Sequence, residues 1–555
     1  MHSVGMVSFG LYPRKCNSTS RFPVRKYKIS LCMKYIVLYL NIILSAICLT
    51  FVSCSGETEE EGASLIQPPV LVETLPADGA TGLSCDLSEI RLTFDQDVYV
   101  GATASDEVSL KPDVEIEGIQ ASGKTVVISI PSLQQGTRYT LTVPLGVLTG
   151  KDKQAVEKIT LSFTTKSVAA VDVAPDMTGV EKDSYALLKQ IRVGWNLGNS
   201  LESYYDGLPD HMDAETSWGN PVVTQDMILK VKEAGFNAVR IPVRWYPHAT
   251  DQNTMEEISS EWLGRVKEVV DYCISNGMYA IINTHHEDWL ESHPLKSEAE
   301  EVLRKERNLW RAIATYFRDY DEHLIFSGTN EVEINWQAPT RDNLEVQNRF
   351  NQCFVDAVRS TGGRNYYRNL IIQTYATNPD YSFDGLIFPD DVSDRRISIE
   401  FHYYRPAGFS YMDFADYTES VYFWGKDYIQ YNEEQSGEQE DYVDGFFRKI
   451  KSYWVDKGYP VVMGEYGAVT TINRSVGYEA EQIASRKYYM EYVTRAARTN
   501  GIVPFVWDNG SFNTVPDYKN EYFGLFNRKE NMETNEVSKA MIEGIMNGCD
   551  TEYPF

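Results

Sequence analysis

The sequence predicts an α/β fold in which a (β/α)8 TIM barrel at residues 184–547 follows a small all-β domain at residues 67–167. Two observations predict this order. The longer region alternates short apolar runs with helix-like segments, whereas the shorter region alternates apolar and polar residues between turn signals. A linker at residues 168–183 separates the two patterns. A doubly wound open sheet is the alternative for the longer region, but no glycine-rich phosphate loop follows its strands.

The composition is that of a globular, strongly acidic chain. Of 555 residues, 43% are apolar and 24% are charged, with a net charge of −27. All 79 acidic residues lie after residue 54, whereas seven of the 52 basic residues precede it. The chain beyond residue 54 should therefore repel nucleic acid and anionic membrane surfaces, and a neutral polymer remains a suitable partner.

Residues 1–54 end in a predicted secretion signal, MKYIVLYLNIILSAICLTFVSC. A lysine precedes an apolar run of 18 residues, and a small residue stands directly before Cys54. The ending FVSC resembles a bacterial lipoprotein cleavage box, with Phe51 where leucine is usual. We therefore expect Met33 to be the true start and Cys54 to carry lipid. A retained transmembrane helix is the alternative, since this run is long enough to span a bilayer.

The acidic linker at residues 55–66 resembles export signals of bacterial surface lipoproteins, and a plain solvated linker is the alternative. These features predict a secreted lipoprotein that its lipid holds in the outer membrane at the cell surface, and a tethered monomer is the default expectation for its oligomeric state. The cysteines predict neither a zinc site nor a disulfide framework, because Cys85, Cys273, Cys353 and Cys549 are scattered without CxxC spacing.

The all-β region contains four strand-like runs: EIRLTF (89–94), TVVISI (125–130), RYTLTV (138–143) and ITLSFTT (159–165). Its spaced apolar positions resemble the bacterial Ig-like modules found beside secreted enzymes. We expect an Ig-like sandwich that acts as a spacer between membrane and enzyme. A glycan-binding module is the alternative.

Eight apolar runs follow in the longer region: residues 192–199, 238–243, 280–286, 324–331, 369–375, 397–404, 460–467 and 502–508. Helix-like segments lie between most of them. One begins at a predicted cap, Thr224, and stops at Gly235. Another places Trp262, Val266 and Cys273 on one face. Eight such units in a row predict a TIM barrel.

Polar residues collect at the ends of these runs, where a TIM barrel places its chemistry. They are Arg240 in run two, His285 and His286 in run three, Asn330 and Glu331 in run four, His402 and Tyr404 in run six, Glu465 in run seven, and Trp507 in run eight. Burying an unpaired carboxylate is costly, so the glutamates at the ends of two apolar runs indicate a function.

Two carboxyl groups that face one sugar linkage are sufficient to hydrolyse it. One must be protonated to donate to the leaving oxygen, and the other must be ionised to attack the anomeric carbon. An arginine beside the second group keeps it charged. The pair Glu331 and Glu465 fits these requirements in type and position.

The same residues resemble glycoside hydrolase family 5, over roughly residues 184–545. The resemblance implies Glu331 as acid/base, in Asn330-Glu331, and Glu465 as nucleophile, in Gly464-Glu465-Tyr466-Gly467. It also implies supporting and substrate-binding roles for the remaining positions of the family pattern: Arg240 as partner of the nucleophile, His285, His402 and Tyr404 of an H-x-Y motif, and Trp507 as a sugar platform. No metal or organic cofactor is implied.

Three finer motifs resemble subfamily 4, which acts on cellulose, mixed-linkage glucan and xyloglucan. They are GWNLGN at 194–199, ETSWGNP at 215–221 and WDNG at 507–510. Val332 departs from the family, which usually has proline after the acid/base glutamate. We therefore expect the loop at Val332, and the substrate preference with it, to differ.

Four further residues are candidates for sugar contact: Asn199, Glu215, Trp218 and His286. Each has a structural alternative. Asn199 could close a turn, Glu215 and Trp218 could hold the first long loop, and His286 could pack behind the site.

The predicted function is a retaining endo-β-1,4-glucanase that hydrolyses internal bonds of β-glucans by double displacement. The alternatives on the same barrel are a xyloglucan-specific endoglucanase and a β-mannanase. A non-catalytic surface glycan-binding lipoprotein is the alternative of another class, although such a protein needs neither glutamate.

Overall fold

The computed structural model describes residues 67–554, apart from residues 84–86, 113, 132, 134–135, 166–170, 411–420, 433–436, 475 and 514–521. The predictions for the secretion signal, for Met33 and Cys54, and for the acidic linker at 55–66 lie outside the described residues. In the described part of the chain, no helix combines the length and apolar character needed to cross a membrane.

The N-terminal domain is a sandwich of two four-stranded sheets with a small two-stranded ribbon. Its strands are β1 (Leu71–Leu75), β2 (Ala80–Leu83), β3 (Glu89–Phe94), β4 (Tyr99–Val100), β5 (Ser109–Lys111), β6 (Gly118–Ser122), β7 (Thr125–Ser129), β8 (Arg138–Val143), β9 (Leu148–Thr149) and β10 (Ile159–Thr165). The sheet orders are β1-β3-β7-β6 and β2-β10-β8-β5, and β4 pairs with β9. A short helix, α1 (Ala104–Glu107), follows β4.

Alternation along the strands creates the core of this sandwich. In β10 the residues Ile159, Leu161 and Phe163 are buried, and the residues between them are more exposed. The antiparallel partner β8 contributes Tyr139 and Leu141 in the same way. The four strand runs predicted from sequence are confirmed as β3, β7, β8 and β10.

Residues 171–183, part of the predicted linker, pack on the barrel rather than hanging free. Arg311 forms an ion pair with Asp172, and Lys182 forms one with Glu322. The guanidinium of Arg396 donates to backbone carbonyls of this segment. The sequence pattern missed this attachment because the contacts are backbone and charge contacts without apolar periodicity.

The longer region forms a closed barrel of eight parallel strands in chain order. They are β11 (Gly194–Asn196), β12 (Ala238–Ile241), β13 (Tyr279–Asn283), β14 (Leu324–Ser327), β15 (Leu370–Gln373), β16 (Ile397–Tyr403), β17 (Val461–Tyr466) and β18 (Ile502–Val506). The predicted TIM barrel is therefore confirmed. Seven of these strands lie within one predicted apolar run each, and β13 begins at Tyr279, one residue before its run.

Helices surround this barrel: α2 (Ser184–Leu188), α3 (Gln225–Glu233), α4 (Ser260–Ile274), α5 (Asp288–Glu291), α6 (Ala299–Tyr316), α7 (Arg341–Ser360), α8 (Ala407–Ser410), α9 (Glu440–Tyr453), α10 (Glu479–Thr499) and α11 (Glu536–Cys549). The predicted cap is confirmed, since the side chain of Thr224 accepts a hydrogen bond from the backbone of Met227 at the start of α3. In α4, Trp262, Val266 and Cys273 are fully buried against the barrel.

Residues 374–396, between β15 and β16, contain 3-10 turns but no α-helix. The turns Tyr375–Thr377 and Pro379–Tyr381 bring this connection back over the upper face of the barrel, towards the loop that follows β14. The unit therefore contributes side chains to the barrel mouth.

Candidate active site

The two glutamates lie at the same mouth of the barrel but on different kinds of support. Glu465 is inside β17, and its side chain is 8% exposed. Glu331 lies four residues beyond the last residue of β14, and its side chain is 25% exposed. Parallel strands bring their carboxyl ends to one face, so residues distant in sequence meet there.

His402, in β16, lies between the two glutamates. Its Nδ1 is 2.7 Å from Glu331 Oε1 and 3.6 Å from Glu465 Oε2. Its other ring nitrogen, Nε2, is 3.3 Å from Glu400 Oε1. Both ring nitrogens face carboxylates, and only the imidazolium form donates from both.

Two further side chains hold Glu465. The Nη1 of Arg240 donates to Oε1 at 2.9 Å, and the hydroxyl of Tyr404 donates to Oε2 at 3.0 Å. Arg240 is fully buried in β12 and also donates to Asn196 and Asn330, at 3.0 and 2.9 Å. The orientation of the Glu465 carboxylate is therefore fixed from both of its oxygens.

Glu400 is a functional candidate that the sequence reasoning missed. It is 1% exposed beneath the mouth, and its Oε1 lies 2.9 Å from Nη2 of Arg240. Its Oε2 accepts hydrogen bonds from Ser327 and Gln373, at 2.6 and 2.9 Å. Gly464 leaves room for this carboxylate, since a Cβ there would lie 1.9 Å from it. An acid two residues before His402 in an apolar strand was the available signal.

The charges around His402 determine its protonation. Burial alone would lower the pKa of His402, but the charge of Glu465 and the hydrogen bonds to Glu331 and Glu400 outweigh burial and raise it to about 9. His402 is therefore cationic at neutral pH. Arg240 and His402 together supply two positive charges among three carboxylates.

The two glutamates respond differently to these charges. Burial raises the pKa of Glu465, while the charges of His402 and Arg240 oppose that effect. For Glu331, burial is the largest single effect and acts upward, but the hydrogen bond and the charge of His402, together with the hydrogen bond from Thr377, outweigh it and lower the pKa. The two groups are coupled through His402, so the proton belongs to the cluster as a whole.

A cation could in principle lie between Glu331, His402 and Glu465, because one ligand atom of each lies within 4.8 Å of the other two. At 2.7 Å, the contact between His402 and Glu331 fits a hydrogen bond that the imidazolium donates to the carboxylate. Bond cleavage by two carboxyl groups requires no metal.

An aromatic wall borders the glutamates. The ring of Trp507, just after β18, is parallel to that of His285 with centroids 6.1 Å apart. His286 lies at right angles to His285, and Trp218 lies 5.5 Å from His286. Burial lowers the pKa of His285 well below its usual range and that of His286 to about 4, so both are neutral. Neutral imidazoles can donate to one sugar hydroxyl and accept from another.

The other loop candidates have largely structural contacts. The Glu215 carboxylate forms a two-pronged pair with Arg265 at 2.8 Å and accepts from the backbone of Val223, which holds the loop before α3. Asn199 has a φ of 57° and accepts through its backbone carbonyl from Asn220 at 2.7 Å. The geometry favours turn closure for Asn199 and loop support for Glu215.

Three further tryptophans, Trp289, Trp336 and Trp424, follow β13, β14 and β16 in the chain. Trp424 is fully buried, and the indole of Trp289 donates to Glu287 at 2.5 Å. Trp336, in the loop after β14, is 52% exposed. Trp336 is thus the most exposed of these three.

A parallel eight-stranded barrel with two facing carboxyl groups at its carboxyl-end mouth is an arrangement typical of glycoside hydrolases. Comparison with known proteins identifies the family. The cellulase family, glycosyl hydrolase family 5, matches residues 205–513, and a bacterial Ig-like domain matches residues 66–165. The chain belongs to glycosyl hydrolase family 5.

Three similar proteins illustrate this membership. Endoglucanase A of Paenibacillus barcinonensis is 36% identical over 376 residues, which are 64% of this chain and 88% of that protein. The structure of a Bacteroides ovatus xyloglucanase of this family, in complex with a XXXG heptasaccharide, is 29% identical with a TM-score of 0.65 and covers 87% of this chain and 100% of its own. A GH5-4 broad-specificity endoglucanase from Ruminococcus champanellensis, with bound cellotriose, is 32% identical with a TM-score of 0.57 and covers 66% of this chain and 98% of its own.

Proposed function

We propose that this protein is a retaining endo-β-1,4-glucanase in which Glu465 is the nucleophile and Glu331 is the acid/base. The spacing of the two carboxylates carries the proposal. One oxygen of each lies within 4.8 Å of the other, whereas inverting enzymes separate the two groups by about 6.5–9.5 Å to hold a water molecule between them. This spacing is close to the about 5–5.5 Å between the carboxyl groups of retaining enzymes, and it favours direct attack of the carboxylate on the sugar.

In the first step, Glu465 attacks the anomeric carbon while Glu331 protonates the leaving oxygen. Arg240 and Tyr404 hold both oxygens of Glu465 in place for this attack. Because the pKa of Glu331 is lowered in the free enzyme, the proton it delivers is first held on the pair that it forms with His402. The product is a glycosyl ester of Glu465.

In the second step, Glu331 accepts a proton from water, which attacks the ester and releases the sugar in its original configuration. The partly exposed position of Glu331 gives water access to it, while Glu465 stays buried. The neutral His285 and the platform of Trp507 border the space in which the sugar would lie.

Proton NMR during hydrolysis of cellotetraose tests this mechanism. We expect the β-anomer of the new reducing end to appear first and to convert slowly into the α-anomer. An initial α-anomer would contradict retention. The variant Glu465→Gln, which keeps the size of the side chain, is the control that should produce neither signal.

For the substrate, we propose a β-1,4-glucan backbone of the kind that subfamily 4 cleaves. The three motifs at 194–199, 215–221 and 507–510 support this assignment. The similar proteins include an endoglucanase, a broad-specificity GH5-4 endoglucanase and a xyloglucanase. Cleavage of carboxymethylcellulose and barley β-glucan is expected.

A polysaccharide panel resolves the preference among these polymers. Carboxymethylcellulose, barley β-glucan, tamarind xyloglucan, glucomannan and xylan are each incubated with the protein, and the products are sized. Cleavage of xyloglucan alone would replace the broad assignment with a xyloglucanase. Binding without any product would identify a non-catalytic glycan-binding protein.

We also propose that the chain is a monomeric lipoprotein of the outer membrane, exposed at the cell surface through Cys54. The apolar run before Cys54 and the acidic residues after it support this location. The variant Cys54→Ala should move the enzyme from the membrane fraction to the soluble fraction of expressing cells. Retention of that variant in the membrane would instead support a transmembrane anchor.

A further inference from the structure

The turn that follows β15 has an unusual backbone. Ala376 and Thr377 have φ values of 51° and 45°. Positive φ is uncommon outside glycine, and a β-branched residue adopts it rarely because its side chain clashes with the backbone. Such strain persists where surrounding contacts impose it, and it concentrates at functional sites.

Contacts with the loop after β14 impose this conformation. The amide of Ala376 donates to the carbonyl of Val332 at 2.8 Å, and the Tyr375 hydroxyl accepts from the amide of Ile334 at 3.0 Å. Val332 is fully buried directly after Glu331. The strained turn is therefore fastened to the same short loop that carries Glu331.

The strain brings one hydroxyl to Glu331. Oγ1 of Thr377 lies 3.2 Å from Glu331 Oε1, and the residue is 1% exposed. The same hydroxyl lies 2.8 Å from the carbonyl of Ala376. Nδ1 of His402 also contacts Oε1, at 2.7 Å. Two groups therefore hold one oxygen of Glu331, which leaves Oε2 to face the sugar.

We propose that Thr377 is a positioning residue for the acid/base, which it serves in both protonation states. When Glu331 is ionised, the Thr377 hydroxyl donates to Oε1. When Glu331 carries its proton on Oε2, the oxygen that faces the sugar, Oε1 is the carbonyl oxygen of the acid and still accepts from the same hydroxyl. The strained turn keeps this partner in place while the proton leaves and returns.

This inference rests on the proposed role of Glu331, and the test separates the two. The variant Thr377→Val removes the hydroxyl but keeps the shape of the side chain. Its kcat/KM is measured on cellotetraose and on 2,4-dinitrophenyl β-cellobioside, whose leaving group departs with little protonation. The value of kcat/KM reports the step that forms the glycosyl ester. It should therefore depend on the acid for cellotetraose but not for the dinitrophenyl substrate.

We expect Thr377→Val to lose about 10-fold on cellotetraose, a fraction of the 10²–10⁴ that a general acid supplies, and to change less than about twofold on the dinitrophenyl substrate. Thr377→Ser restores the hydroxyl and should restore the rate. Thr374→Val is the matched control: this buried threonine opens the same turn, but its hydroxyl contacts the carbonyl of Glu400 at 3.3 Å, and both substrates should be unaffected.

Equal losses on both substrates, or no loss on cellotetraose, would overturn the positioning role. If Thr377→Val does not fold, Thr377→Ala provides the same comparison with a smaller side chain. Glu331→Gln is run in parallel and should show the selective pattern with a larger loss. Equal losses in Glu331→Gln would overturn the acid/base assignment itself, whatever the threonine variants show.

Discussion

The two halves of the active site are built differently. The Glu465 half stands on a barrel strand, is buried, and is held through both carboxylate oxygens by Arg240 and Tyr404. The Glu331 half stands on a loop, is partly exposed, and is held through one oxygen. The difference matches the roles proposed for the two glutamates: a nucleophile must stay charged and fixed, whereas an acid/base must exchange protons with sugar and water.

The largest effects on activity are expected when each carboxylate is removed in turn, and they should differ between the two halves of the site. Glu465→Ala should lower the rate on all substrates by on the order of 10⁴-fold or more, because no ester can form. Glu331→Ala should spare substrates with good leaving groups in the first step. With added azide, the Glu465 variant should yield an α-glycosyl azide and the Glu331 variant a β-glycosyl azide, as identified by NMR. The reverse pattern of azides would exchange the two roles.

Glu400 connects the two halves, since it contacts both Arg240 and His402. Glu400→Gln removes the anion that balances these cations, and we expect kcat to fall by about 10²-fold on cellotetraose and on the dinitrophenyl substrate alike. Ser398→Ala, two residues earlier in β16 and also buried, is the control. A loss on only one of the two substrates would contradict a shared support.

Tyr404 offers a test of the Glu465 half of the site. Tyr404→Phe removes one hydrogen bond to Glu465 and should lower kcat/KM by about 10-fold on both test substrates, since hydrogen bonds to charged groups contribute about 1.5–3 kcal/mol. Thr377→Val, in contrast, should affect only the substrate that needs the acid. If Tyr404→Phe and Thr377→Val both affected the two substrates in the same ratio, the two halves of the site would not act independently.

The pH profile tests whether the pair of His402 and Glu331 holds the proton that the acid delivers. The pKa of His402 is raised to about 9, so the pair with Glu331 keeps its proton below that pH and loses it above. We expect kcat/KM on cellotetraose to fall as pH rises through about 9, with a weaker dependence on the dinitrophenyl substrate. In Glu400→Gln this fall should begin at lower pH, because one anion that favours the imidazolium is gone. An unchanged pH profile in that variant would argue against a proton held on the pair of His402 and Glu331.

The smallest effect is expected outside the catalytic cluster, at Glu306 in α6. It is fully buried beside Cys353, and burial raises its pKa well above 4.5. Above pH 4.5 the unfolded chain ionises this group while the folded chain keeps it protonated. The free energy of unfolding therefore falls by up to about 1.4 kcal/mol per pH unit. Glu306→Gln should therefore gain Tm relative to the wild type as pH rises from 5 to 8, with unchanged activity. Glu300→Gln, exposed on the same helix, should show no such trend.

Much of the fold was predictable because parallel barrel strands are apolar on both faces and stand out as runs. The candidate residues at strand ends, such as Glu465 and His402, could be predicted because polar side chains interrupt those runs. The same feature concealed Glu400: without an alternating pattern, the sequence does not tell which face of β16 it occupies. Thr377 was invisible because a strained turn and a neighbouring loop place it, and neither leaves a periodic signal.

The role of Glu215 could not be decided from the sequence for a similar reason. Its partner, Arg265, lies 50 residues away on α4, and only the folded chain brings the two together. A carboxylate in a long loop at the mouth of the barrel is equally suited to a sugar or to an arginine until that neighbour is known.

Trapping the glycosyl ester tests the central claim most directly. The protein is incubated with 2,4-dinitrophenyl 2-deoxy-2-fluoro-β-cellobioside, digested and analysed by mass spectrometry. The account predicts one fluorocellobiosyl group on the peptide that contains Glu465, and none in the Glu465→Gln variant. A label on Glu331, or hydrolysis without any covalent adduct, would contradict the assignment of Glu465 as the nucleophile of a retaining mechanism.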